Sequence, residues 1–332
     1  MRLARLVIAG LVVGCAPAAT TKAAPDGLTL AFPLACEIGR TCEVQHYVDR
    51  DAGPAVQDYR CGRRTYDAHT GVDIRLPDMA AQARGVDVLA AAAGRVVRLR
   101  DGVADISIRA AGARPVSGQE CGNGVVVHHG GGWETQYCHL ARGSVRVKVG
   151  DSVAAGAPLA RVGLSGNTEF PHLHLTVRRD GQVVDPFAPD VGEQASCAPG
   201  NSMWTPEAAR RMTYKAGAVL NAGFAGAPPT MADIEAGAVV GPAPTSDYLI
   251  PYVRAIGLER GDVIELGLRG PDGAVLASGA QPPLDNDKAH YFVYVGKRRP
   301  ASGPWPTGSY TADYQVRRNG KLVLQHRFDV RM

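Results

Sequence analysis

The chain is poor in charge: of 332 residues, 20% are Asp, Glu, Lys or Arg, and the formal net charge is only +4. It has no Lys/Arg run, so the electrostatic footprint of a nucleic-acid binder is missing. It also lacks any C-x-x-C pair, which argues against a structural zinc-thiolate cluster. No long internal repeat is present. The apolar stretch at residues 6–14 is far shorter than the roughly 20 residues a spanning helix needs. What the chain has in quantity is glycine (40), proline (23) and hydrophobic residues (45%). That mixture favours many turns, few long helices and a β-rich fold with a proper core. The length suggests two domains.

The N-terminus reads as a targeting segment, with Arg2 and Arg5 ahead of the apolar stretch. It ends in Val12-Val13-Gly14-Cys15, which resembles a bacterial lipobox. That reading makes residues 1–14 a lipoprotein signal peptide and Cys15 the lipidated first residue of an exported protein anchored in the outer membrane. The alternative is an ordinary signal peptide cleaved near Ala16-Pro17-Ala18-Ala19. The small, Pro-containing stretch at 15–27 reads as a flexible tether. Beyond Cys15, six cysteines remain, an even number that in an exported chain implies disulfides. Cys36 and Cys42 are close, with Gly39 to close the loop; Cys121 and Cys138 sit on the arms of an expected hairpin; Cys61 and Cys197 are left by elimination.

The β signal falls in two blocks. The first spans residues 28–190. Partial alternation marks strands at 85–90 and 94–99, with one short strand expected near 106–108. The segment 122–140 reads as a hairpin turning at Gly130-Gly131-Gly132, and 144–149 alternates cleanly. Residues 191–240 read as a connector with one short helix, capped by Thr205 with Pro206 at its first position and running to Met212. From 241 to 332 several short strands resume, among them a hairpin at Asn319-Gly320. Their number and spacing suggest a small immunoglobulin-like β-sandwich.

The chemistry-bearing residues lie in the first block. Phe170-Pro171-His172-Leu173-His174-Leu175-Thr176-Val177 reads as a strand. Alternation puts His172 and His174 on one face and the leucines on the other. Upstream, His69-Thr70-Gly71-Val72-Asp73 reads as a loop feeding a strand, with Gly71 allowing the backbone to turn so that both side chains converge. His139 follows Tyr137 and Cys138 on the returning arm of the hairpin. A catalytic zinc site takes three N or O ligands and an open position, and the ion lowers the pKa of a coordinated water from about 15.7 to roughly 7. His69, Asp73, His139, His172 and His174 supply three ligands and two histidines for proton transfer and oxyanion stabilisation. Residue chemistry alone does not choose between His172 and His174 as the metal ligand.

These motifs together, His-x-x-x-Asp, Tyr-x-His-Leu and Pro-His-Leu-His, with the runs at 147–156 and 163–166, resemble the lysostaphin/LytM-type zinc endopeptidases of peptidoglycan over roughly residues 63–190. The resemblance implies an antiparallel β-sheet peptidase domain with a narrow groove. It also implies one zinc ion on His69, Asp73 and His174, with His139 as general base and His172 stabilising the oxyanion. Tyr137, two residues before His139, is expected to share its face and to position substrate. His128 and His129 fall at the family's His-Gly turn and read as structural, as do His290 and His326; His46 has no supporting motif. The departures are Leu175-Thr176, where the family often has Phe-Glu, and Glu169-Phe170 in place of small residues. The implied function is cleavage of peptidoglycan peptides in the periplasm. For the C-terminal domain three roles stay open: binding substrate, covering the groove, or recruiting a protein partner. The competing readings are a non-catalytic LytM-like factor that activates cell-wall amidases, and a metal-binding envelope lipoprotein without turnover.

Overall fold

The computed structural model describes residues 27–110, 116–189, 201–301 and 303–332; Cys15, the tether up to residue 26 and Cys197 lie outside them. The first unit is built from β1 (Glu43–His46), β2 (Val72–Arg75), α1 (Met79–Arg84), β3 (Asp87–Leu89), β4 (Gly94–Arg100), β5 (Asn123–Gly130), β6 (Trp133–Leu140), β7 (Ser152–Val153), β8 (Pro158–Arg161), β9 (His172–Arg179) and β10 (Gln182–Val184). Its main sheet is antiparallel in the order β1-β2-β9-β6-β5-β4-β7, with β10 on β9, and β3 pairs β8 separately.

The sheet forms because each central strand alternates. Val72, Ile74, Val125, Val127, Tyr137, Leu173, Leu175 and Val177 enter one buried cluster. Asp73, His172 and His174 take the opposite face of β2 and β9, as period-2 alternation requires. Gly130, Gly131 and Gly132 all adopt positive φ at the β5–β6 turn, where a Cβ would be costly. The sulfurs of Cys36–Cys42 and of Cys121–Cys138 are bonded, and Cys61 is also disulfide-bonded. Cys121–Cys138 ties the entry of β5 to the end of β6 across a separation of 17 residues. Closing a loop of that size removes about 3 kcal/mol of denatured-state entropy in the chain-entropy account.

Alternation overcalls two segments. Residues 144–149 form no named strand, although Arg146 N donates to Leu159 O at 2.8 Å. Residues 106–108 form none either; instead Asp105 makes an isolated bridge to Ser165, and Ile106 and Ile108 are exposed.

The segment read as a connector is divided between the two units. Met203, Trp204, Ala208 and Met212 join the first core, around α2 (Pro206–Arg211), which Thr205 caps. β11 (Ala218–Ala225) pairs with the next unit's first strand. Between them α3 (Met231–Ala236) starts from a capping box of Thr230 and Asp233. The second unit continues with β12 (Tyr248–Leu258), β13 (Val263–Arg269), β14 (Val275–Ala280), β15 (Lys288–Tyr294), β16 (Lys297–Arg298), β17 (Ser309–Arg318) and β18 (Lys321–Arg331). Two antiparallel sheets, β11-β12-β15 with β16 on β12 and β14-β13-β17-β18, share one apolar core that includes Leu249, Val253, Leu266, Leu268, Tyr310 and Tyr314. Asn319 and Gly320, both at positive φ, turn the β17–β18 hairpin. Among the described residues no helix is long and apolar enough to cross a membrane.

The units are joined by a buried ionic cluster. The side chains of Arg75 on β2 and Arg254 on β12 are fully buried, and both bond the Glu235 carboxylate of α3. Arg75 also lies over the Phe170 ring, 3.7 Å from its centroid, and reaches Gln45 Oε1 at 3.0 Å.

Candidate active site

Register assembles the site. Asp73 on β2 lies opposite His174 on β9, and Arg75 lies opposite His172. Directly opposed residues of an antiparallel pair project to the same face, so Asp73, His172 and His174 meet there. His69 arrives from the loop before β2. Its Nδ1 donates to the Tyr47 carbonyl at 2.7 Å, which turns Nε2 inward to 3.2 Å from Asp73 Oδ1 and 3.1 Å from His174 Nδ1. His174 Nδ1 is 2.9 Å from the same carboxylate oxygen, and its Nε2 meets Thr176 Oγ1 at 3.0 Å. Three donor atoms thus converge while their other polar atoms are engaged elsewhere.

Gly71 serves this packing by close approach. A Cβ there would stand 2.6 Å from His174 Nε2 and 2.7 Å from the Leu175 carbonyl. Its φ is not positive, so the expected conformational reason for glycine is replaced by a steric one. The left-handed residue in this loop is Ala68.

His139 enters from the end of β6. It adopts φ 60°, an uncommon conformation for a residue with a Cβ. Its N–H donates to the Cys121 carbonyl and its Nδ1 donates to the Ser165 carbonyl, both at 2.8 Å. Nε2 therefore holds the lone pair in the neutral ring. The ring centroid lies 4.6 Å from that of His172 and 6.0 Å from that of His174. His172 directs Nδ1 at the Phe170 carbonyl (3.0 Å) and Thr168 Oγ1 (3.1 Å), and its Nε2 lies 3.5 Å from Asp73 Oδ1.

Burial governs the protonation of the cluster. It pushes His139 well below the ordinary histidine range, with His172 and His174 adding to the effect. It also lowers His174 against the opposing pull of Asp73. For Asp73 burial raises the carboxyl, but the charges of His69 and His172 and its histidine hydrogen bonds outweigh that and hold it well below its usual value.

Tyr137 does not belong to the site. It is fully buried on the core face; its hydroxyl accepts from Ala91 N at 2.7 Å and from Thr135 Oγ1 at 3.0 Å. Parity placed Tyr137 and His139 together, but the left-handed backbone at His139 breaks the alternation between them. His129 is held by the Ala93 carbonyl and Thr135 Oγ1, both at 2.8 Å, outside the cluster. His326 stacks on Phe328. His290 lies against Arg75, with 3.4 Å between Nδ1 and Nη1.

Other neighbours had no distinguishing motif. Tyr66, half exposed, packs its ring 4.3 Å from that of His69. Thr176 occupies one departure from the family pattern, and here it supports His174. His46, on β1, bonds Asp73 through Nδ1 and Oδ2 at 3.1 Å.

Among the described residues two groups of potential metal donors emerge, His69-Asp73-His174 and His139-His172-His174. The first fits zinc: two imidazole nitrogens and one carboxylate oxygen form the donor set of an open catalytic site. The Nδ1 of His139 and of His172 is directed at a backbone carbonyl, and their remaining nitrogens face the same space.

The model of Peptidase family M23 matches residues 67–186. That region is an M23 peptidase domain. It is 33% identical over 124 residues to the DD-carboxypeptidase/endopeptidase Mpg of Neisseria meningitidis, covering 37% of this chain and 23% of that protein. Over 85 residues it is 38% identical to the peptidoglycan DD-endopeptidase ShyA of Vibrio cholerae, covering 25% of this chain and 18% of ShyA. A 62-residue stretch is 45% identical to the murein hydrolase activator EnvC of Escherichia coli, covering 19% and 14% respectively. The chain thus spans less than a quarter of the length of these relatives. The M23 domain contains all five histidine and aspartate residues of the cluster; β1 and the C-terminal unit lie outside it.

Proposed function

We propose that the chain is a zinc endopeptidase acting on peptide crosslinks or stem peptides of peptidoglycan in the cell envelope. The observation that carries this reading is the convergence of His69, Asp73 and His174 with His139 and His172 on one face of the sheet. Zinc bound by the first three would supply Lewis acidity and a nucleophile available near neutral pH. His139, neutral and with Nε2 free, takes up a proton there, while the Ser165 carbonyl fixes its tautomer. His172 keeps Nδ1 on the Phe170 carbonyl, which directs Nε2 toward the place where charge would develop on a scissile carbonyl oxygen. Phe170 and Tyr66 flank the cluster, and the near-complete burial of His69, Asp73 and His139 keeps its electrostatics strong.

The test is direct. Purified protein is expected to contain about one zinc per chain and to release soluble peptides from sacculi. His174→Ala should lose both metal and activity. His139→Ala should keep the metal and lose at least 100-fold in turnover, on the order of a general-base contribution. Zinc-loaded wild type that leaves sacculi intact while stimulating a cell-wall amidase would establish the activator reading instead, which the EnvC match favours. Fragment masses from defined peptidoglycan identify the bond cut.

A further inference from the structure

We propose that β1, outside the M23 segment, is a working part of the metal centre, with His46 as the positioning residue that fixes the Asp73 carboxylate. The inference rests on the reading of His69, Asp73 and His174 as zinc ligands.

The backbone delivers His46 by an irregularity. Val44 pairs with Ile74 and His46 pairs with Asp73, so the register slips by one residue between them. Val44 and Ile74 are buried in the core. In a regular strand His46, two residues on, would follow Val44 into that core. The extra residue, Gln45, turns His46 to the other face instead, the use to which bulges beside functional sites are put. Gln45 itself is buried and accepts a hydrogen bond from Arg75. The row His46, Asp73, His174 then runs straight across three strands.

The contact divides the carboxylate between two tasks. Oδ1 faces His69 and His174, at 3.2 and 2.9 Å. Oδ2 takes His46 Nδ1 at 3.1 Å. A carboxylate oxygen accepts, so His46 Nδ1 is the donor in this bond. Turning the carboxylate plane away from this orientation would break this bond, so His46 fixes the plane in which Asp73 presents an oxygen to His69 and His174. The next residue does the same for a second ligand: the Tyr47 carbonyl accepts from His69 Nδ1 and leaves Nε2 to point inward. Tyr47 is firmly seated, with its ring against Tyr59, Phe187 and Tyr214 and its N–H on the Arg64 carbonyl at 2.8 Å. Two consecutive residues, the last of β1 and the one that follows it, thus orient two of the three ligands.

Outer partners of this kind are worth about 10–100-fold in metal affinity. The test measures zinc affinity of the full chain by chelator competition, together with the melting temperature of the zinc-free protein. His46→Ala should weaken zinc binding about 10–100-fold without lowering the zinc-free melting temperature. His46→Asn, whose amide can donate from near the Nδ1 position, should recover most of the loss. Wild-type affinity in His46→Ala overturns the proposal. Equal loss in both variants overturns it too, since packing and not the donated hydrogen bond would then be responsible. If His46→Ala is unstable, His46→Asn decides alone: affinity near wild type supports the proposal, and loss opposes it. Wild type that fails to bind zinc would overturn the metal site itself, a result distinct from all of these.

Discussion

Glu235→Ala removes the carboxylate that two fully buried arginines share. Arg75 Nη2 sits 2.7 Å from Glu235 Oε2, Arg254 Nη1 bonds the same oxygen, and both guanidinium side chains are 0% exposed. Burial already pulls Arg75 down to about 9, opposed chiefly by Glu235. Each contact is worth about 4 kcal/mol at an effective dielectric of 20 and 4 Å separation, before desolvation is deducted. Breaking a buried pair costs about 3–5 kcal/mol in practice, because an uncompensated charge stays behind. The Glu235 side chain is 22% exposed, so water can reach the vacated site, and the lower end, about 3 kcal/mol, is expected. That corresponds to a fall of roughly 6–12 °C in melting temperature. Because the cluster joins two units with separate cores, calorimetry should show one transition dividing into two. Replacing all three residues, Glu235→Leu with Arg75→Met and Arg254→Met, should restore most of the loss. A Glu235→Ala protein that melts within about 2 °C of wild type, a change of under about 1 kcal/mol, would show that the cluster does not hold the units together.

Stability should also fall in mild acid through His290. Burial, then Arg75 and Arg254, lower it from 6.5 to about 4, with Glu235 opposing and Arg109 adding. Its folded pKa lies below its unfolded one, so its contribution is complete above about pH 6.5 and is lost as pH falls toward about 4; denaturation midpoints across that window should flatten in His290→Gln. Cys15→Ser is expected to move the protein from the membrane fraction to the soluble envelope fraction, as measured by fractionation, if Cys15 carries the lipid that the N-terminal motif implies; unchanged membrane association would remove that reading.

Much of the site was legible because its chemistry is packed into short motifs. His-x-x-x-Asp and His-x-His each bring two groups to one place by local geometry, and the glycine turns at 130–132 and 319–320 announce their hairpins. The partners that hold these groups are dispersed. Thr176 is one hydroxyl among many, and the Ser165 carbonyl and Tyr47 carbonyl have no residue signature at all, because backbone acceptors are common to every residue. Glu235 lies 160 positions from Arg75, and only the docking of the second unit brings them together. The expected connector failed for a related reason. Its sparse apolar residues, Met203, Trp204, Ala208 and Met212, are too few to show a period, yet each reaches the first core.

Alternation was the strongest tool for assigning faces, and it holds only along an unbroken strand. For His172 and His174 on β9 it succeeds. It fails twice at the site, once on each side. At β1 the bulge at Gln45 turns His46 out of the core and onto Asp73. At β6 the left-handed backbone of His139 separates it from Tyr137, which stays in the core. In both places the departure from period 2 delivers a histidine to the face that carries the histidine–aspartate cluster while a neighbour of the same nominal parity, Val44 or Tyr137, remains in the hydrophobic cluster. A regular strand has to give one whole face to the core; a single irregular residue lets the same strand supply both the core and the site. The two irregularities are therefore the positions where the demands of packing and of chemistry are reconciled, and restoring regular alternation at either should remove a histidine from the cluster while leaving the apolar face intact.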